Sequence, residues 1–356
     1  MNIRDIAKMS GVGVSTVSRV LNNHPDVKQS TREKVMEVIK ETNYVPNNSA
    51  RILKQNNIKN IGVLVKGVFN PFFSELINVI GNKINEENYT MILQQNDYGL
   101  EQEIEKLISF IKEKKLQGII CLGGNFTDIE EESFKNVDIP IVLTSINTVS
   151  LRGRDTYSTI GVDNFNAAYD ATKTLIDKGH TKIAIMLGEE NDYSVSWLRY
   201  KGYSKALREH GIEVQDENLL LGDFDPTIAY YETMKFLKNH RDITAMFAIS
   251  DMMAIGVAKA ISDSGFKVGQ DISLIGFDGM AVSEFHNPGI STVRQPKSEM
   301  AEQSVDLLFK LMNHKSEHKH VLLDTQIIER ESIADISGKH LDMLENCEKR
   351  KELNMV

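Results

Sequence analysis

From residue 61 onward the chain alternates short, continuously apolar runs with longer amphipathic stretches, a rhythm that admits few folds. Ile61-Gly62-Val63-Leu64-Val65 precedes a helical pattern over about 71–88, and Tyr89-Thr90-Met91-Ile92-Leu93 precedes another over roughly 101–115. Gly118-Ile119-Ile120-Cys121-Leu122 and Ile139-Pro140-Ile141-Val142-Leu143 follow. The rhythm restarts with a helix near 164–178 and apolar runs at 183–186, 245–249 and 272–276. A strand that is apolar at every position needs cover on both faces, which means a parallel sheet layered with helices. Two such series imply two lobes. A chain of 356 residues is also too long for one core and suits a small domain joined to a larger, two-lobed one.

Open parallel sheets bind ligands at the carboxyl ends of their strands. The first strand ends at Asn70-Pro71-Phe72-Phe73, which offers two aromatic rings. Leu187 leads to Asp192, Tyr193, Ser194, Ser196, Trp197 and Arg199. Ile249 leads to Ser250-Asp251, Gly276-Phe277 leads to Asp278, and Gly222-Asp223-Phe224 adds a further ring. Aromatic platforms edged with carboxylate, hydroxyl and guanidinium groups suit a polyol.

The first sixty residues differ in charge from the rest. They hold ten Lys/Arg against five Asp/Glu, whereas the remainder holds 31 against 45, so the net −9 hides a basic head on an acidic body. Such a head suits a nucleic-acid grip, although uneven surface charge alone would give the same count. Its pattern is more specific. Asn2 caps a helix carrying Ile3, Ile6 and Ala7, and Gly11 breaks it. Residues 14–21 form a second helix with Val17, Val20 and Leu21 inward. Its outward face, with Val14, Ser15, Ser18 and Arg19, is small enough to enter a major groove. A third helix opens with a capping box, Ser30-Thr31-Arg32-Glu33, ahead of Val35, Val38 and Ile39. The two glycines of Gly11-Val12-Gly13 follow no strand and lead to no Gly-Lys-Ser/Thr, so they form no phosphate loop.

Asp5-Ile6-Ala7-Lys8, then residues 14–22 (Val-Ser-Thr-Val-Ser-Arg-Val-Leu-Asn), Thr31-Arg32-Glu33-Lys34-Val35, Asn43-Tyr44-Val45-Pro46-Asn47 and Ala50-Arg51 match the LacI/GalR repressor family in order and spacing. The resemblance extends from about residue 2 to 335. It implies an all-α helix-turn-helix head with a hinge helix, followed by an α/β two-lobed periplasmic-binding-protein-like domain with parallel sheets. On this reading the head is 1–45, the hinge 46–60, the core 61–336 and a charged tail 337–356. The N-lobe takes about 61–160 and 292–322, and the C-lobe about 161–291 and 323–336.

The resemblance places Val14, Ser15 and Arg19 on bases. Their chemistry agrees, because arginine pairs with guanine O6 and N7 while valine packs on a thymine methyl. It places Thr16, Ser18, Asn22 and Thr31 on phosphates, and gives the hinge Asn47 and a minor-groove wedge, Leu53. A surface salt bridge is the alternative for Arg19, and docking on the body the alternative for Leu53. For the cleft it implies effector contacts at Phe72, Phe73, Arg199, Phe224, Ser250, Asp278 and Gln295. The alternative for Arg199 and Asp278 is a salt bridge pinning the lobes. Trp197 either fills part of the cleft or lies on the lobe. Departures fall at Gly13, where the family usually has a capping serine, at Ser145 in place of a carboxylate, and at Ser250 in place of asparagine.

The expected activity is sequence-specific transcription regulation, most simply repression, of a sugar or related metabolite pathway. The partners implied are a pseudo-palindromic double-stranded operator, a small-molecule effector and a second copy of the chain. Regulation by a phosphocarrier-type co-repressor docked on the core is an alternative, and a binding protein without DNA function is another. The expectation is not an enzyme: there is no HExxH, no Gly-x-Ser-x-Gly, no Walker loop and no G-x-G-x-x-G after a strand. No cofactor or metal is implied, and Cys121 and Cys347 match no metal or redox spacing. The N-terminus has no signal-like apolar stretch and no run reaches membrane length, so a cytoplasmic protein is expected. Asp163-Asn164 is read as a helix cap, and Lys178-Gly179-His180 as a helix stop.

Overall fold

A computed structural model describes residues 1–21, 23–44, 59–66, 70–95, 103–124, 126, 129–130, 132–146, 153–189 and 195–338. The expected contacts at Asn22, Asn47 and Leu53, the residues Asp192, Tyr193 and Ser194, and Cys347 lie outside the described residues. The chain divides into two units, 1–58 and 59–356.

In the first unit α1 (Ile3–Ser10) is capped as its sequence asks: the Asn2 side chain accepts from the Arg4 and Asp5 amides, and the Asp5 carboxylate accepts from the Asn2 amide at 2.8 Å. Gly11 ends it in the left-handed region at φ 63°, where a side chain would be strained. Among the described residues of the unit, α2 (Val14–Leu21) and α3 (Gln29–Glu41) pack with α1 around Ile6, Ala7, Val17, Val20 and Val35. The expected capping box at Ser30 does not form. α3 starts two residues earlier than that box would set it, at Gln29, so Ser30 is already helical, and Glu33 accepts from the Gln29 side chain at 2.9 Å instead.

The second unit holds two six-stranded sheets. Its strands are β1 (Asn60–Val65), β2 (Thr90–Gln95), β3 (Gly118–Leu122), β4 (Ile141–Thr144), β5 (Ser158–Val162), β6 (Ile183–Leu187), β7 (Leu219–Leu221), β8 (Ala245–Ala248), β9 (Ser273–Asp278), β10 (Ser291–Arg294), β11 (His320–Leu323) and β12 (Gln326–Ile328). The helices are α4 (Pro71–Glu86), α5 (Glu103–Lys114), α6 (Asn164–Asp177), α7 (Val195–Glu209), α8 (Pro226–Phe236), α9 (Asp251–Asp263), α10 (Ala281–Phe285) and α11 (Lys297–Met312). The first sheet runs β11-β5-β4-β3-β1-β2, entirely parallel. The second runs β12-β10-β9-β8-β6-β7, parallel except where β12 meets β10. β4 starts at Ile141 because Pro140 has no amide to donate to the ladder.

The chain changes sheets after Val162, after Arg294 and after Leu323. Each crossing falls one to three residues later than the sequence reading set it, because β5, β10 and β11 continue their ladders. His180, read as structural, is buried. Its ring bonds Thr244 Oγ1 and the Ala334 carbonyl, and burial lowers its pKa.

α6 and α7 pack as close as backbones allow at Gly202. A Cβ there would stand 2.2 Å from the Phe165 carbonyl oxygen and 2.8 Å from the Tyr169 nitrogen. Gly202→Ala should therefore force the helices apart and lower stability by about 1–3 kcal/mol, measured by urea unfolding. An unchanged midpoint would refute this packing.

Candidate nucleic-acid interface and effector cleft

On α2, Val17 and Val20 are buried while Val14, Ser15 and Arg19 are exposed and Thr16 and Ser18 are half-buried. The apolar spacing thus turns the expected base-reading residues outward together. Thr31 is half-buried in the first turn of α3. Arg19 carries the surface salt bridge weighed as its alternative role: Nη1 lies 3.0 Å from Asp26 Oδ2, with both side chains about half exposed. An exposed pair of this kind is worth about 0–1 kcal/mol. A Cβ on Gly13, where α2 begins, would find its nearest neighbour, Ser15 Oγ, at 3.6 Å, so a side chain fits there.

In the core, the second sheet brings four of the expected cleft residues to the carboxyl ends of adjacent strands. Arg199, on α7, is buried. Its Nε donates to Asn164 Oδ1 at 2.8 Å, Nη1 donates to the Ile249 carbonyl, and the guanidinium lies 3.5 Å from the centre of the Phe277 ring. Asp278 ends β9, and Gln295 follows β10 and donates to Asp278 Oδ1 at 2.8 Å. Ser250 caps α9, its Oγ accepting from the Met253 amide. Phe224, beyond β7, lies against Gly188 at the end of β6, where no Cβ would fit. Phe72 and Phe73 sit at the start of α4 in the first lobe, edge to face at 5.2 Å. Phe72 is buried in an apolar cluster that also takes in Met280 from the second lobe.

Arg199 and Asp278 both belong to the second lobe, so they do not form a salt bridge pinning the lobes together. That task falls to Lys297, whose Nζ reaches both Glu75 in the first lobe and the Gly279 carbonyl in the second, at 3.0 and 2.9 Å. Trp197 lies on the lobe surface. It stacks on Tyr200 at 5.4 Å, about 200° around the helix axis from Arg199.

The role of Asn164 and the partners of Asp251 escaped sequence reasoning. Asn164 was read as part of a cap, but Asp163 is the cap and Asn164 holds Arg199. Asp251 is fully buried and gathers three donors: the Met280 amide at 2.6 Å, Ser283 Oγ at 3.0 Å and Thr292 Oγ1 at 2.7 Å. Thr292 Oγ1 in turn accepts from the Gly279 amide. Asp251 thereby anchors the turn after Asp278, whose own φ of 119° is unfavourable for a side-chain-bearing residue. The adjacent Ser250-Asp251 was visible; its three partners on distant segments were not.

Burial pushes the Asp251 carboxyl up to about 7, with the Asp278 charge pushing the same way. Burial also pushes Asp278 up to about 6, against the pull of Arg199 and Gln295. Chemically, the site presents a fixed guanidinium as donor, a carboxyl group as acceptor, a primary amide and a ring edge. That set matches vicinal hydroxyls and an apolar sugar face.

Residues 2–47 match the family model "Bacterial regulatory proteins, lacI family", and residues 172–333 match "Periplasmic binding protein-like domain". The HTH-type transcriptional regulator MalR of Clostridium butyricum is 59% identical over 336 residues, covering 94% of this chain and 100% of that protein. The chain belongs to the lacI family of bacterial regulatory proteins. Two solved regulators share the architecture. A complex of the transcriptional regulator CelR with cellobiose superposes with a TM-score of 0.69 at 26% identity, covering 93% of this chain and 99% of CelR. The Lac repressor dimer bound to operator and the anti-inducer ONPF gives 0.68 at 25%, covering 94% and 99%. As a lacI-family member the chain is a DNA-binding transcription regulator with a periplasmic-binding-protein-like core. Among the described residues no helix is long and apolar enough to cross a membrane.

Two expectations follow for this lacI-family regulator. Gly13→Ser should add a few tenths of a kcal/mol to the α2 cap and tighten DNA binding about two- to fivefold through an added phosphate contact, read by fluorescence anisotropy. Weaker binding would mean that the backbone needs glycine there. The second concerns pH. With both carboxyls raised, the native state keeps protons that the unfolded chain, titrating near 3.8, has released. The stability they contribute is full below about pH 4 and is lost as pH rises through 6 to 7. Wild type should lose thermal stability relative to Asp251→Asn across that window, and a pH-independent difference would contradict it.

Proposed function

We propose that the chain represses transcription as a cytoplasmic homodimer, gripping a pseudo-palindromic operator through two heads, and that a sugar or related metabolite in the cleft changes that grip. The observation that carries the effector half is Arg199. Its guanidinium is fixed by Asn164, the Ile249 carbonyl and the Phe277 ring next to the Asp278–Gln295 pair, so a polyol meets groups already in place. Preorganisation of this kind lowers the cost of binding. Likeness to a cellobiose-bound regulator and to an operator-bound repressor dimer supports the same assignment.

In this reading Val14, Ser15 and Arg19 read bases, while Thr16, Ser18, Asn22, Thr31 and Asn47 hold the backbone. Leu53, within a hinge at 46–60, wedges the minor groove. Arg199, Asp278 and Gln295 bond the ligand hydroxyls, Phe73 and Phe224 pack its apolar face, and Phe72 and Ser250 shape the wall behind them. The chain performs no chemistry on its ligand. The ligand acts by linkage: it shifts operator affinity only by its unequal affinity for the two lobe arrangements.

The test is an operator-binding titration against mono- and disaccharides, cellobiose among them, alongside thermal shift. One sugar should raise the melting temperature and change operator affinity. Asp278→Ala should keep operator binding but weaken that sugar by about 10- to 100-fold, the value of a hydrogen bond to a charged group. Full sugar affinity in Asp278→Ala would overturn the cleft assignment. Loss of operator selectivity in wild type would overturn the head assignment.

A further inference from the structure

Asp26 lies in the turn between α2 and α3 and holds two side chains. Arg19 Nη1 stands 3.0 Å from Oδ2, and His24 Nδ1 stands 2.6 Å from Oδ1. Exposed ion pairs contribute little to stability, so this one does not explain itself as a fold element. The turn that presents Asp26 is nevertheless firmly built. Arg32 of α3 donates to Asn23 Oδ1 and to the His24 carbonyl, both at 2.8 Å. The His24 amide donates to the Arg19 carbonyl at 2.9 Å, and Val27, the next residue after Asp26, packs into the head core. Asp26 is therefore held at a fixed place beside the outward face of α2.

We propose that Asp26 is a positioning residue for base reading: it holds the Arg19 guanidinium in the orientation that pairs with one guanine, and it penalises every other sequence. This rests on Arg19 reading a base. A guanidinium offers five N–H donors in a planar fork, and a carboxylate on Nη1 leaves further donors for O6 and N7. Held there, the side chain meets the groove with fewer rotamers to lose. The carboxylate also adds a negative charge close to the phosphates, and that repulsion weakens binding to all duplexes alike. Only the sequence that returns two hydrogen bonds to the oriented guanidinium recovers the loss. His24 fixes the second carboxylate oxygen and keeps the group from rotating away.

The experiment uses full-length wild type, Asp26→Ala, Asp26→Asn, Arg19→Ala and the double variant Arg19→Ala/Asp26→Ala. An operator is selected by wild type from a randomised duplex library, and affinities are measured for it, for each single-base-pair change, and for random DNA at fixed salt. Arg19→Ala identifies the base pair that arginine reads, as the position where discrimination disappears. Asp26→Ala should cut discrimination at that same pair by about three- to tenfold and raise affinity for random DNA about two- to fivefold, with unchanged thermal unfolding. Asp26→Asn, which keeps an acceptor without the charge, should retain more of the discrimination. In the double variant Asp26→Ala should remove nothing further at that pair. A uniform shift over all sequences would overturn the proposal and leave a plain surface ion pair. If wild type selects no sequence, the reading of the head fails and this proposal with it, an outcome visible in wild type alone.

Discussion

An arginine and two aspartates buried in one lobe are costly unless every charge has partners, because removal from water disfavours ions strongly. The second lobe is organised around meeting that demand. Asn164 from α6, the Ile249 carbonyl beyond β8 and the ring of Phe277 on β9 receive Arg199. The loop after β9 and a threonine on β10 receive Asp251, and Gln295 receives Asp278. Strand ends separated by more than a hundred residues in sequence are drawn to one point by this polar network. The resulting cluster is held in place by these contacts at the carboxyl ends of the strands.

The head solves a different problem with the same economy. Its core is five buried side chains, so its outward face has to remain polar and small. Apolar spacing in α2 decides which residues are left outside, and they are the ones with the chemistry to meet a groove. The two units thus differ in burial: α2 of the head leaves Val14, Ser15 and Arg19 outside, and the core buries Arg199, Asp251 and Asp278.

Much of this was legible beforehand. Period and apolar runs gave the parallel strands, because a strand buried on both faces has no choice but to be apolar throughout. The strand-end rule led to Arg199, Asp278, Ser250 and Phe224 without reference to where they meet. What stayed hidden depended on distance in sequence. Nothing in Asn164 signals that it faces Arg199 thirty-five residues on, and Thr292 and Ser283 look like any other strand and loop hydroxyls. The strands β5, β7, β10, β11 and β12 also escaped, their apolar stretches running to three residues at most. Ser30 misled because a capping box is a local pattern, whereas the start of α3 is set two residues earlier.

The three crossings between sheets have a consequence for how the chain is made. The first sheet begins with residue 60 but takes its last strand from 320–323, and α11, which covers that sheet, comes only after the second lobe's β10. During synthesis the lobe that starts first therefore keeps an apolar face uncovered until α11 and β11 emerge, and the second sheet is closed only after them, by β12. Partly built chains with such a face uncovered are the species most prone to aggregate. Completion of both sheets thus depends on residues 297–328, far along the chain from most of the strands they cover and join.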